Sequence, residues 1–249
     1  LDLWQRGQVG AHRDTAGVAV AYTHGRADAM GLVTNAAAPA YEMARTGRSS
    51  LDAYSLSAYW THYGPAGWYL DGVLQATRYS GTARSYDTSL DTRGHGWVAS
   101  LEGGYPIALA WGPDFVLEPQ AQVIWQRVSF NSANDDFGHV ALGSSSGVTA
   151  RLGVRAQWTL RQDNGDVWQP YVRANLWRDT GGESTPVYGG VDRIPLSMQS
   201  TRLELAAGLT AKLSHAVSLY AQLGIQKGLH GGDQYRRGIN GNAGIRYRW

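Results

Sequence analysis

Seven histidines, at positions 12, 24, 62, 95, 139, 215 and 230, are the side chains best suited to hold a transition metal or move a proton near neutral pH. They form no His-Glu-x-x-His pair or comparable ligand spacing, so neither a metal site nor a catalytic histidine is expected. The segment Gly143-Ser144-Ser145-Ser146-Gly147 matches a nucleophile elbow in letters only, because it reads as a flexible loop without the strand–turn–helix setting that exposes the serine. Asp91, Asp135, Asp136, Asp179 and His139 fall near one rim of the architecture expected below; a surface protease could be built there, but a solvated loop is the expectation. Cysteine is absent, which excludes disulfides, thiol chemistry and thiolate-held metals. No catalytic residue and no cofactor is therefore expected. The formal net charge of +2, without a basic stripe, argues against a nucleic-acid partner.

Other charges carry more information because they recur at every second position. Glu102, Glu118, Arg151, Arg155, Arg173, Arg202, Glu204 and Lys212, with Gln120 and Gln122, fall on one face of alternating segments. Charges turned into an interior are costly unless hydrated or paired. Two compatible readings follow. The residues pair along a wall and brace it, or they grip a polar segment lying inside.

The segments that position them have a period of two. Between Val148 and Leu160, the residues Val148, Ala150, Leu152, Val154, Ala156, Trp158 and Leu160 oppose Thr149, Arg151, Gly153, Arg155, Gln157 and Thr159. The same pattern places Phe115, Leu117 and Val123 on an apolar face, and it returns at 203–213, 217–226 and 239–249. Such runs exceed the roughly five or six residues usual for a soluble strand and suffice to cross a bilayer at a tilt. Tyrosine and tryptophan, at 14 and 10, far outnumber the 3 phenylalanines, as expected where rings with a polar handle sit between apolar slab and water. In lipid every backbone polar group must pair, so the sheet has to close. The fold class is all-β: a transmembrane antiparallel up-and-down β-barrel forming one domain over residues 1–249.

Links of two kinds alternate. Gly64–Gly67, Arg161–Asp166 and Ser214-His215 are tight turns, whereas 29–50, 81–92, 130–146, 180–198 and 230–235 are longer and polar. Strands are predicted at 1–9, 14–28, 51–63, 68–80, 93–105, 114–129, 147–160, 167–179, 199–213, 216–229 and 236–249. Eleven is odd, while single-chain bacterial barrels are even-numbered, so a twelve-stranded barrel with its first strand upstream of Leu1 is expected. Leu1-Asp2-Leu3-Trp4 has no signal-peptide pattern, which places any export signal upstream as well.

The segments 117–122, 147–155 and 168–178, with Tyr59–Pro65 and the aromatic end Tyr247-Arg248-Trp249, resemble the autotransporter β-domains of the AIDA-type adhesins (type V secretion) over nearly the whole chain. That resemblance implies a virulence-associated translocator in the outer membrane of a Gram-negative bacterium, acting as a monomer. An α-helical linker would run through its pore. The lipid bilayer, its own N-terminal passenger, periplasmic chaperones and the barrel-assembly machinery would be its partners. Tyr247 and Trp249 would form the membrane-assembly signal. The alternatives are a small stand-alone channel and a barrel-based surface hydrolase.

Overall fold

In a computed structural model, the chain is described at residues 1–8, 10–35, 40–182, 184–188, 192–193, 199–214, 216–230 and 237–247. The first half gives β1 (Asp2–Gly7), β2 (Arg13–Asn35), β3 (Ala40–Tyr63), β4 (Tyr69–Ser85), β5 (Ser89–Gly104), β6 (Ile107–Ala108) and β7 (Val116–Phe130). Next come β8 (Ala133–Asp135), β9 (Gly138–Ala141), β10 (Ser144–Gln157), β11 (Leu160–Arg161) and β12 (Val167–Gly181). The chain ends with β13 (Val187–Tyr188), β14 (Asp192–Arg193), β15 (Ser200–Lys212), β16 (Val217–His230) and β17 (Arg237–Tyr247). One antiparallel sheet runs β1-β2-β3-β4-β5-β7-β10-β12-β15-β16-β17, each strand beside its predecessor in the wall.

Burial along this wall is inverted relative to a water-soluble protein. Arg151 is 5% exposed and its neighbour Leu152 65%; Asn175 is 0% exposed and its neighbour Leu176 43%. Val20, Leu56, Leu74, Leu223 and Ile239 all turn outward into the open, while Glu204, Gln222 and Thr77 are buried on the other face. A sheet that hides carboxylates and displays leucines is built for a hydrocarbon surround and a polar interior.

Glycines make room for rings on that inner face. Tyr171 lies directly across from Gly208, and Tyr220 from Gly244. A Cβ at either glycine would meet the tyrosine ring atoms at 2.4 Å. The rings therefore fold down over the glycine backbone, a cross-strand device that lets a sheet curve while its bare backbone stays covered.

The turns at one end of the wall are tight. Gly67 N–H donates to Gly64 O at 2.9 Å, and Gln162 N–H to Asp166 O at 2.9 Å. Below the turns this end is called lower, and the opposite end upper. The upper links depart from expectation. Residues 29–50 are not mainly loop, because β2 and β3 continue as a ladder up to Asn35 and Ala40, with a bulge after Ala29. Segment 130–146 contributes β8 and β9, and segment 180–198 contributes β13 and β14, to a separate small sheet ordered β14-β13-β9-β8. Link 230–235 and His215 lie outside the described residues, apart from the backbone of His230. Phe115 is also not on the outer apolar face. It is 4% exposed, packed between Trp111 and Trp158 with ring centroids at 5.7 and 5.0 Å.

The two ends of the sheet, β1 and β17, are not joined by a ladder among the described residues. Both run from upper to lower end, so a direct ladder between them would be parallel in a sheet otherwise antiparallel throughout. Side chains nevertheless bring the edges together. Arg246 of β17 reaches Asp2 of β1 at 2.8 Å, and Tyr59 of β3 also donates to Asp2.

Candidate functional site

The inner face carries a connected polar network built on two hubs. Arg151 on β10 ion-pairs with Glu102 on β5 at 2.8 Å and donates to Gln122 (3.0 Å) and Gln120 (3.1 Å) on β7. Alternation sets this up: Arg151 stands opposite Gln122, and Gln122 opposite Glu102, so one line across three strands holds these three, with Gln120 one inward step along β7. Glu204 on β15 accepts from Trp177 Nε1 (2.8 Å), Asn175 (3.0 Å) and Arg173 (3.3 Å), all on β12. Asn175 joins the hubs, because its Oδ1 accepts from Arg151 at 3.1 Å while its amide donates to Glu204. Charge-assisted bonds of this kind, made out of water, are strong and fix geometry.

A second layer sits to one side. Tyr69 donates to Glu102 at 2.7 Å, and Gln120 donates to Glu118 at 2.6 Å and to Tyr69 at 3.1 Å. Nearer the upper end, Arg202 pairs with Asp179 at 3.1 Å and donates to Gln226 at 3.3 Å. Arg155 makes no ion pair among the described residues; its guanidinium lies 4.2 Å from the centre of the Tyr171 ring. Beside these groups is an inner cavity of about 560 Å³, faced by Tyr69, Glu118, Arg155, Arg173 and Tyr220.

Of the residues singled out in the sequence, the structure gathers Glu102, Glu118, Gln120, Gln122, Arg151, Arg173 and Glu204 into this network, with Arg155 beside it and Arg202 above. Lys212 stands apart, exposed at the lower end of β15. Tyr247 is 62% exposed on the outer face, and Trp249 lies outside the described residues. Asn175, Trp177 and Tyr69 were missed, and Asp179, read from the sequence as a rim residue, is the partner of Arg202. Asn175, Trp177 and Asp179 share the odd positions of β12 with Arg173, so the same alternation that flagged the arginine also points to them. At the upper rim, Asp135 accepts from the N–H groups of Phe137 and Gly138, both at 2.9 Å, and His139 Nδ1 lies 3.1 Å from Asn134 Oδ1. These contacts shape a turn.

The family model for autotransporter β-domains matches residues 4–224. The chain belongs to that family. The Pertactin autotransporter of Bordetella bronchiseptica is 31% identical over 211 residues, spanning 82% of this chain and 22% of that protein. The autotransporter adhesin AIDA-I of Escherichia coli is 27% identical over 246 residues, 90% of this chain and 18% of that one. The chain thus spans about a fifth of the length of these curated relatives. Among solved structures, the β-domain of the Bordetella autotransporter BrkA superposes with a TM-score of 0.71 at 25% identity, covering 99% of this chain and 86% of that one. The transport unit of AIDA-I superposes with a TM-score of 0.74 at 19% identity, covering 100% and 80%. This autotransporter domain is an all-β barrel domain of the Gram-negative outer membrane, with its apolar face toward lipid and its polar network toward the lumen.

Proposed function

We propose that the domain anchors and exports its own N-terminal passenger, with a linker segment held in the lumen beside the Arg151–Glu204 network. One observation carries this reading. Among the described residues, every lumen ion pair joins strands at most two apart along the wall: β5 to β10, β12 to β15, and β17 to β1 across the seam. No pair among the described residues spans the bore. The charges brace the wall from the side and leave a polar passage between opposite strands, which a hydrated chain in transit requires and a plugged structural barrel does not.

A twelfth strand, ascending between β17 and β1, completes the antiparallel pattern and supplies the missing ladder. Tyr247 stands on the outer face of the last strand, open to recognition by the assembly machinery. The barrel needs no catalytic group for this role, since it closes in lipid and keeps its interior wet. The test is planar-bilayer conductance of the domain with and without the upstream linker, together with protease accessibility of the passenger on cells. The linker is expected to close the conductance, and the passenger to be cleaved from outside. Conductance unchanged by the linker, with no passenger at the surface, would identify a stand-alone channel instead.

A further inference from the structure

Toward its upper end the outer face of the wall takes on basic residues. On each of five ascending strands, a basic residue is the first or second outward position above a large apolar or small neutral one, with Met30 and Leu32 exposed higher on β2 and Leu229 higher on β16: Arg26 above Tyr22 on β2, Arg78 above Leu74 and Ala76 on β4, and Arg127 above Trp125 on β7. Arg178 above Leu176 on β12 and Lys227 above Ile225 on β16 complete the set. Descending β5 adds Arg93, across from Ser80, the next outward position after Arg78. In the ladder, Arg78 stands opposite Tyr54 and Arg127 opposite Trp97, so these cations border large apolar residues of the neighbouring strands.

The carboxylates in this belt are already engaged. Asp52 accepts from Tyr22 at 2.6 Å and lies 2.8 Å from His24; Asp28 is held by Arg48 at 2.8 Å; Asp91 accepts from Thr82 at 2.7 Å. The Arg48 guanidinium holds the Asp28 carboxyl below its ordinary value, and Arg48 itself stands directly opposite Arg84, a like-charge pair that costs stability without a further anion. Arg78, Arg93, Arg127 and Lys227 make no ion pair among the described residues. The lower border is different. There Trp60, Trp168 and Tyr247 face outward at 40%, 38% and 62% exposure, and two of the cations at that end are matched by acids, Arg6 standing opposite Asp14 and Arg161 pairing with Asp114.

We propose that this one-sided basic belt binds the phosphorylated headgroups of the glycolipid in the outer leaflet, so that lipid A is a specific lipid ligand of the domain's upper rim. Charge complementarity carries the argument. Unpaired cations sit one step above the acyl-chain band, at the level where the phosphates of an outer-leaflet glycolipid lie, and only on the side of the wall that faces that leaflet. Juxtamembrane basic residues each gain from anionic headgroups at this depth, and the guanidinium fork adds paired donors to phosphate oxygens. The proposal concerns the outside of the wall and stands independently of transport through the lumen.

The full-length protein is placed in phosphatidylethanolamine nanodiscs containing bisphosphorylated lipid A, the same glycolipid without phosphates, or phosphatidylglycerol, and the guest lipid retained per barrel after detergent extraction is measured. One variant combines Arg78→Gln, Arg127→Gln, Arg178→Gln and Lys227→Gln; a second combines Arg78→Lys, Arg127→Lys and Arg178→Lys. Resistance to cold SDS reports folding. Bisphosphorylated lipid A is expected to be retained about fivefold over both other lipids by the wild type and the lysine variant, and the excess is expected to be lost in the glutamine variant. Equal retention of the phosphate-free glycolipid overturns the proposal. So does phosphatidylglycerol bound as well as lipid A, or a folded glutamine variant that keeps the excess. Should the glutamine variant not fold, the comparison of lipids on the wild type and lysine variant decides.

Discussion

Asp2, on the first strand of the wall, and Arg246, on the last, form a 2.8 Å ion pair across 244 residues of chain. This contact reports that the sheet has curled until side chains of its two edges touch, although no backbone ladder joins those edges among the described residues. Both side chains are about half exposed, at 49% and 54%, so the pair is weak in energy even if it is specific in position. Asp2→Ala or Arg246→Ala is expected to cost at most about 1 kcal/mol in a thermal unfolding series in detergent. The double exchange Asp2→Arg with Arg246→Asp should recover most of that loss. Independent, additive effects in the cycle would show that the edges do not touch.

Glu204 is a different case. It is 2% exposed and is the shared acceptor for Trp177, Asn175 and Arg173. Removing it strands three donors at once, one buried and two half-buried, and one of the three is a cation. Glu204→Ala is therefore expected to destabilise the barrel by about 3–5 kcal/mol, and Glu204→Gln by less, since an amide oxygen still accepts. Lys212→Ala, at the exposed lower end of the same strand, is expected to fall within about 0.5 kcal/mol of the wild type. Thermal midpoints of the three variants in one detergent settle the order.

The wall was legible in the sequence because period two is a local signal, repeated in every spanning strand. Val148–Gln157 alone separates the two faces, the strand ending there and not at Leu160, and the odd positions of β12 hold Arg173, Asn175, Trp177 and Asp179 in a row. The network's connectivity was not legible. Nothing in the chain order shows that Asn175 bridges Arg151 to Glu204, because that depends on the register of β10 against β12 and of β12 against β15. The length of the β2–β3 hairpin was missed for a related reason. Between Tyr22 and Met30, and between Met43 and Tyr54, residues such as His24, Asp28, Arg48 and Asp52 are polar, so hydrophobic alternation is interrupted while the ladder continues. Phe115 was misplaced because it begins its strand at the lower edge, where Trp111 and Trp158 roof it over and hide it from lipid.

Gly153 and Gly208 face tight surroundings for different reasons. A Cβ on Gly153 would meet Asn175 Oδ1 at 2.2 Å, and one on Gly208 would meet the Tyr171 ring at 2.4 Å and Ala221 O at 2.8 Å. Gly153→Ala pushes aside the side chain that links the two hubs, and Gly208→Ala displaces a ring and crowds backbone. Each is expected to cost about 1–3 kcal/mol. Gly25→Ala, where the nearest atom is Leu51 O at 3.9 Å, should be close to neutral. Unfolding midpoints measured by tryptophan fluorescence check the contrast; a tolerated Gly208→Ala would mean that the tyrosine lid over this glycine is easily moved.

Arg155 combines the charge of a bracing residue with none of the bracing. It stands opposite both Glu118 and Arg173 in the ladder, stacks on Tyr171, and makes no ion pair among the described residues. Its cation therefore acts on whatever occupies the lumen more than on the wall. Arg155→Ala is expected to lower stability by about 1 kcal/mol, chiefly through the lost stacking contact. Its effect on permeation is expected to be larger. With the linker removed, loss of an unpaired positive charge leaves Glu118 to set the local field, and the bore should shift toward cation selectivity. The reversal potential across a bilayer bathed in unequal KCl concentrations reads this directly. Arg151→Ala provides the contrast, because it frees Glu102 and also collapses a hub, so selectivity and stability should change together. If Arg155→Ala leaves the reversal potential where it was, the residue faces the wall and takes no part in the passage.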